Sequence, residues 1–238
     1  MNAEKLLEMA NEYLSLETDP HFRSELLKVI DAHDNESLND RFYTQLSFGT
    51  GGLRGVIGGG YNRMNPFMVR RATQGLANYV RKASGSDHPS AVIAYDSRNF
   101  SPVFAEEAAL VFCANGIKTY LFTSLRPTPE LSFAIRRLGA TTGIVVTASH
   151  NPPAYNGYKV YWADGAQIIH PHDAGIIVEV QSVTTEIRSM DRAAAVKSGM
   201  LVMIDREVDD AFVAMVKGHS LRPELIRERG KELKVVYT

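Results

Sequence analysis

The chain has 238 residues, 45% of them hydrophobic, and 26 Lys+Arg against 27 Asp+Glu give a net charge of −1. That is enough apolar sequence for one ordinary core with room for extras, and the balanced charge excludes a protein held to nucleic acid or a membrane surface by bulk electrostatics. The single cysteine, Cys113, excludes an internal disulfide framework and a Cys-rich metal site.

The opening M-N-A-E-K-L-L-E-M-A lacks a basic n-region and a long apolar h-region, so it reads as a mature cytoplasmic start rather than a signal peptide. No apolar run reaches the ~18 residues that a membrane span needs. Leu6, Leu7, Ala10, Tyr13 and Leu14 recur at helical spacing and predict a helix over 3–16. Thr18-Asp19-Pro20 reads as a cap with proline in the first turn, starting a second helix that runs to about Ala32. A short third helix is expected from Leu38 to Leu46. Residues 1–45 thus form a helical N-terminal extension without a chemical motif.

The texture then changes. F-G-T-G-G-L-R-G-V-I-G-G-G, from Phe48 to Gly60, is too rich in glycine to be a helix. Asn65-Pro66 opens a strong amphipathic helix to about Ser84. Strands are expected at 91–95, 117–122 and 143–147. Helices between them start at Ser101-Pro102 and Pro127, the second ending at Gly139. Cys113 falls in the first of these helices and reads as a packed thiol. G-Y-K-V-Y, 157–161, is expected to pair back on 143–147 across an Asn156-Gly157 turn. Helices are expected at 172–188 and 205–217, and K-E-L-K-V-V-Y-T, 231–238, reads as a strand. The alternation of strands and helices predicts an α/β fold, a three-layer α/β/α arrangement whose sheet is mixed because of the closing hairpin. The expected divisions are 1–45, 46–200 for the main domain, and 201–238 for connecting helices and the first strand of a further domain.

Ligands of open α/β sheets bind outside the carboxyl ends of the strands. Asp96-Ser97-Arg98, Thr123–Thr128 and Thr147–His150 fall at such ends, and the glycine loop 49–60 could join them. That loop fits neither a dinucleotide fingerprint nor a P-loop. It offers a backbone that can approach an anion, with the Arg54 guanidinium set in it. A flexible turn with Arg54 as a surface charge is an equal reading of the same residues. Ser149 and His150 are adjacent, which does not let a histidine act as the base of a hydrolase triad, and G-x-S-x-G is absent. A polar capping loop remains open, but Ser149, His150, Asn151, Asn156 and Lys159 cluster around one proline-stiffened hairpin. Strand alternation puts Lys159 on the opposite face from Tyr158 and Val160, where it can be aimed at the serine loop. Asp96 and Arg98 read as braces between loops. Trp162, Tyr155, Tyr158 and Tyr161 read as hairpin packing. His170-Pro171-His172 reads as a surface loop rather than a metal site.

T-A-S-H-N-P-P-A-Y-N-G-Y-K, from Thr147 to Lys159, resembles the phosphoserine loop of the α-D-phosphohexomutases, the phosphoglucomutase/phosphomannomutase family. The likeness runs from about Phe48 to Thr238. F-G-T-G-G-L-R-G-V-I-G-G-G-Y-N-R-M-N resembles the family's N-terminal loop, and A-Y-D-S-R and R-P-T-P-E match its next two loops in order. The W-A-D-G-A-Q-I stretch and the helical preface are most like the larger bacterial α-phosphoglucomutases and their phosphopentomutase-like relatives.

The resemblance implies an isomerase that moves a phosphoryl group between two positions of a hexose through a phosphoserine and a bisphosphate. Ser149 would carry the phosphoryl group and lend an oxygen to Mg2+. His150 would lie beside that phosphate, Lys159 would act as general acid/base, and Arg54 would stabilise the moving charge. A sugar phosphate is the implied substrate, with a hexose bisphosphate as activator and with neither nucleic acid nor membrane as a partner. The family's D-x-D-x-D-R metal loop, its sugar-choosing loop and its phosphate-binding C-terminal domain are not found. The chain is therefore expected to be a fragment that works with later domains of the same full-length protein. The residues do not separate glucose from mannose or pentose, and a non-catalytic sugar-phosphate binding module is the alternative.

Overall fold

A computed structural model describes residues 2–49, 51–184 and 186–236. Three helices come first: α1 (Ala3–Leu16), α2 (Pro20–Asp31) and α3 (Asn35–Phe42). Asp19 caps α2 by accepting the His21 N–H at 2.8 Å, with Pro20 in the first turn. The third helix starts earlier than Leu38 and stops before Leu46. Asp34 caps it through the Ser37 N–H, 3.0 Å away.

These helices are not a detached preface. Leu6, Tyr13, Leu26 and Phe42 share one core with Tyr61, Phe67 and Met68 of the following segment. The Tyr13 ring meets Phe42, Tyr61 and Phe67 edge-on, at centroid distances of 5.6 to 6.1 Å. Glu17, 1% exposed, fastens the same junction. Its carboxylate accepts the Thr18, Asp19 and Phe67 N–H groups at 2.8, 2.9 and 3.1 Å, and Arg70 lies 3.3 Å away. Burial, then the Glu17 charge, drives the Tyr13 phenol well above its ordinary range, so it stays a neutral donor to Glu17.

The rest is a layered α/β fold: β1 (Gly52–Val56), α4 (Pro66–Ala83), β2 (Ser90–Tyr95), α5 (Ser101–Ala114), β3 (Lys118–Phe122), α6 (Thr128–Leu138), β4 (Thr142–Val146), β5 (Tyr155–Trp162), α7 (His172–Ser182), α8 (Arg192–Lys197), β6 (Leu201–Ile204), α9 (Arg206–Gly218) and α10 (Pro223–Arg229). The strands form one mixed sheet in the order β1-β5-β4-β2-β3-β6. β4, β2, β3 and β6 are parallel, while β5 and β1 run antiparallel to their neighbours. Strand alternation divides the core. Ala91 and Ile93 pack with α4, α5 and α7, whereas Val92 and Ala94 pack with α6 and α9. Both faces are covered, which is why the central strands read as continuous apolar runs.

Four expectations change. Asn156 and Gly157 lie inside β5, not in a turn: Gly157 sits opposite Arg54 of β1, and residues 147–154 make the connection from β4. Asn156 is fully buried and its side chain bonds the Asn99 carbonyl, the Ser101 hydroxyl and the Gly157 N–H, so it is not free to form a turn. The helix expected to reach residue 188 ends at Ser182, and residue 185 lies outside the described residues. β6 pairs with β3, so the sheet continues past the limit expected at residue 200. Residues 231–236 hold a 3-10 turn followed by exposed chain without strand pairing, and 237–238 lie outside the described residues.

Removing the buried Glu17 carboxylate leaves the half-buried Arg70 and three N–H groups short of an acceptor. Glu17→Ala is expected to cost about 3–5 kcal/mol in urea unfolding. A loss under about 1 kcal/mol would mean that this carboxylate does not hold the extension to α4.

Candidate active site

The site forms where β4 and β2 end and β5 begins. β5 runs back between β4 and β1, so its residues pass the serine loop at short range. Two glycines permit this. A Cβ on Gly157 would lie 2.5 Å from the Thr147 carbonyl oxygen, and one on Gly52 (φ 136°) would collide with the Tyr158 carbonyl.

Ser149 sits at φ 55°, a left-handed conformation that a non-glycine residue rarely adopts. Its N–H donates to Thr147 Oγ1 at 2.9 Å, and its exposed hydroxyl accepts from Lys159 Nζ at 2.7 Å. The aim of Lys159 expected from strand alternation is thus present. Arg54 is exposed on β1 and donates from Nη1 to Asn151 Oδ1 at 3.3 Å, which links the glycine-loop strand to the serine loop. His150 is exposed beside Ser149, and its side chain has no hydrogen-bond partner among the described residues.

The bracing expected of Arg98 is more extensive than its position in A-Y-D-S-R suggests. Its Nη2 donates to the carbonyls of Ser149 (2.7 Å) and Asn151 (2.6 Å), and its Nη1 to those of Pro152 and Tyr155 (both 3.0 Å). Asp96 lies 3.5 Å from Arg98 Nε and accepts from the Arg98 N–H and the Ser101 hydroxyl. Asp96, Ser97, Arg98, Asn99, Ser149, Asn151 and Pro153 line a cleft of about 350 Å³.

The loop 123–128 contributes no lining residue to that cleft. Its backbone lies beside β2, with the Arg126 N–H on the Tyr95 carbonyl at 3.0 Å, but its side chain turns to α9. Arg126 makes a two-pronged bond to Asp209 (2.7 and 2.7 Å) and another to Asp205 (2.6 Å). Of the four loops expected to converge, two line the cleft, and the glycine loop reaches them only through Arg54 on Asn151. Cys113 is buried, as expected, but His172 is not part of a surface loop: it opens α7, half-buried, stacks on Trp162 and bonds the Tyr79 hydroxyl. Burial pushes the Cys113 thiol up, which keeps it protonated.

A magnesium ion needs an octahedron of oxygens. Among the described residues no group of three or more His, Cys, Asp or Glu could hold a metal ion. Asp96, the carboxylate beside Ser149, is occupied by Arg98 and Ser101. The described residues therefore do not fit a complete magnesium site. No described helix is long and apolar enough to cross a membrane.

Residues 45–186 match the domain described as "Phosphoglucomutase/phosphomannomutase, alpha/beta/alpha domain I", and the chain belongs to that family. A probable phosphoribomutase from Schizosaccharomyces pombe is 43% identical over 183 residues, covering 76% of this chain and 31% of the relative. A phosphoglucomutase from Staphylococcus epidermidis is 41% identical over 176 residues, 68% of this chain and 32% of the relative. The crystal structure of a putative phosphomannomutase from Thermus thermophilus superposes with a TM-score of 0.62 at 28% identity, covering 74% of this chain and 36% of the other. The chain spans about a third of the length of the curated relatives it matches.

Glu130, in the first turn of α6, went unnoticed in the sequence, where it follows two prolines in R-P-T-P-E. It is 5% exposed, its Oε1 has no hydrogen-bond partner, and burial followed by the neighbouring Asp209 pushes its carboxyl up to about 7. Asp209 moves the other way, held down by Arg126. The proton thus rests on Glu130. The folded chain keeps it where the unfolded chain has lost it, so its contribution to stability is full at low pH and is lost as pH rises through about 7. Between about pH 5 and pH 8 the unfolding free energy is expected to fall by something on the order of 2 kcal/mol, and Glu130→Gln should flatten most of that slope. Equal slopes in the two proteins would refute the assignment.

Proposed function

We propose that this chain is the phosphoserine-bearing part of a phosphohexomutase that interconverts hexose 1-phosphate and hexose 6-phosphate, with glucose as the hexose. The observation that supports it best is the 2.7 Å hydrogen bond from Lys159 Nζ to Ser149 Oγ.

In the first transfer the P–O bond at Ser149 Oγ breaks and a P–O bond forms to the free hydroxyl of the sugar phosphate. The hydroxyl proton must leave and Oγ must gain one. Lys159 balances both, giving a proton to Oγ and taking one from the sugar hydroxyl. The bisphosphate then turns over, and the other phosphoryl group returns to Ser149 by the reverse steps. A hexose bisphosphate in solution can load Ser149 in the same way, which is its role as activator. Phosphoryl transfer asks the protein chiefly for alignment and charge neutralisation. A phosphoserine carries about −1.5 to −2 charges, and Arg54 and Lys159 supply two cations beside it. His150, adjacent and exposed, is assigned to positioning that phosphate. When Mg2+ is bound it would neutralise further charge, with phosphoserine oxygen as one ligand and the remaining ligands outside the described residues. Sugar phosphates are charged and do not cross a bilayer unaided, so the reading puts the protein in the cytoplasm.

A second reading has a specific support. The Schizosaccharomyces pombe relative is named a probable phosphoribomutase, which favours a pentose phosphate by the same chemistry.

Mass spectrometry of protein purified from cells is expected to find one added phosphoryl group, mapped to Ser149 and lost in Ser149→Ala. Phosphate on another residue, or fluorophosphonate labelling of Ser149, would sink the proposal. Residues 1–238 on their own are expected to give no detectable turnover of glucose 1-phosphate in the presence of Mg2+ and glucose 1,6-bisphosphate. Robust turnover would show that this span is a complete mutase.

A further inference from the structure

A serine at φ 55° is held in a left-handed backbone conformation that is unfavourable for a residue with a Cβ. Ser149 lacks the side-chain amide or carboxylate that lets asparagine and aspartate adopt this region more readily. Something else must hold it, and the contacts of Arg98 identify what. The two Nη nitrogens of a guanidinium carry four N–H groups, and Nε carries a fifth. In Arg98 the four take the carbonyls of residues 149, 151, 152 and 155, which span the connection from β4 to β5, and the fifth faces Asp96.

The clamp is itself anchored. Asp96 accepts from the Ser101 hydroxyl at 2.7 Å, and Ser101 accepts from Asn156 Nδ2 at 2.9 Å. Ser101 and Asn156 are both fully buried, in α5 and β5 respectively. Arg98 is therefore tied to two rigid elements while it gathers a loop. It is only 14% exposed, so its bonds are little diluted by water.

Arg98 also registers both cations proposed to serve the phosphoryl group. It holds the carbonyl of Ser149 while Lys159 holds the hydroxyl of the same residue. It holds the carbonyl of Asn151 while the side chain of Asn151 holds Arg54.

We propose that Arg98 is a positioning residue that imposes the left-handed conformation on Ser149 and so aims its hydroxyl at Lys159. The consequence for catalysis rests on the reading of Ser149 as the phosphoryl carrier, but the geometric claim does not. Lysine cannot substitute, because one ammonium with three donors cannot span four carbonyls.

The test uses the whole 238-residue chain, isotope-labelled and unphosphorylated, and reads the backbone and Cβ chemical shifts of Ser149 by NMR. Wild type should give the left-handed pattern, and Arg98→Lys should lose it, along with any hydrogen-bond signature between Lys159 and Ser149. Arg126→Lys is the control: another arginine at a strand end is weakened, stability falls, and the Ser149 pattern should stay. Asp96→Asn, which loosens the anchor and leaves the guanidinium, should give a partial loss and serves if Arg98→Lys does not fold. A left-handed Ser149 in both Arg98→Lys and Asp96→Asn overturns the proposal, and so does a loss of equal size in Arg126→Lys. Absence of phosphate on Ser149 would overturn the phosphohexomutase reading and leave this result standing.

Discussion

The site depends on one constraint: β5 must lie between β4 and β1 at a single register. Side chains alternate along it. Tyr158 and Val160 enter the core beneath α4, while Lys159 takes the other face. A slip of one residue would bury the lysine and expose the tyrosine. Tyr158 opposes the slip because it is fully buried and its hydroxyl shares a 3.0 Å hydrogen bond with Thr73 of α4. Gly52 and Gly157 oppose it as well, because the two backbones approach too closely there for any Cβ. The aim of Lys159 at Ser149 is thus fixed by core packing several residues from the chemistry.

Charge then fastens the irregular parts to that frame at three places, two of them by one device. A buried or half-buried charge gathers backbone groups that neither helix nor sheet can satisfy. Glu17 takes N–H groups at the junction of the extension and α4. Arg98 takes carbonyls of the serine loop. Arg126 takes the Asp205 and Asp209 carboxylates, and Glu130 beside it keeps its proton up to about pH 7. Each charge costs desolvation, so each is multiply bonded.

This division explains what could be read in the sequence. Helices with one apolar face, such as α4, and strands buried on both faces, β2 to β4, announce themselves by periodicity. β1 does not: G-L-R-G-V has two apolar side chains among glycines, and its strand character comes from pairing with β5. β6 is only four residues long and is recruited by β3. Asn156-Gly157 carries the strongest short hairpin signal in the chain, and tertiary contacts override it, since Asn156 has its bonds in the core. At the site, residue type and spacing place Ser149 and Lys159 around one loop and leave Arg54 open between an anion binder and a surface charge; their roles come from the family resemblance. Arg98 is legible as a brace between loops, but its four carbonyl partners are not, because bonds to carbonyls leave no pattern in side-chain identity. The reach of Arg126 to the Asp209 carboxylate is hidden for another reason: the partner lies 83 residues further on, in α9, and only the fold brings the two together.

The charges at the cleft also bear on how much of a mutase site this span can supply. A phosphoserine beside Arg54 and Lys159 would be close to neutralised, since two cations face about two negative charges. A sugar phosphate brings a second dianion that needs cations of its own. Arg98 is the one cation among the described residues lining the cleft, and all five of its N–H donors face the serine loop or Asp96. Arg126, the next arginine along the strand ends, is consumed by Asp205 and Asp209. On the proposed reading, the described residues hold the phosphoryl carrier between Arg54 and Lys159, and the one cation lining the cleft, Arg98, is already committed to the serine loop and Asp96.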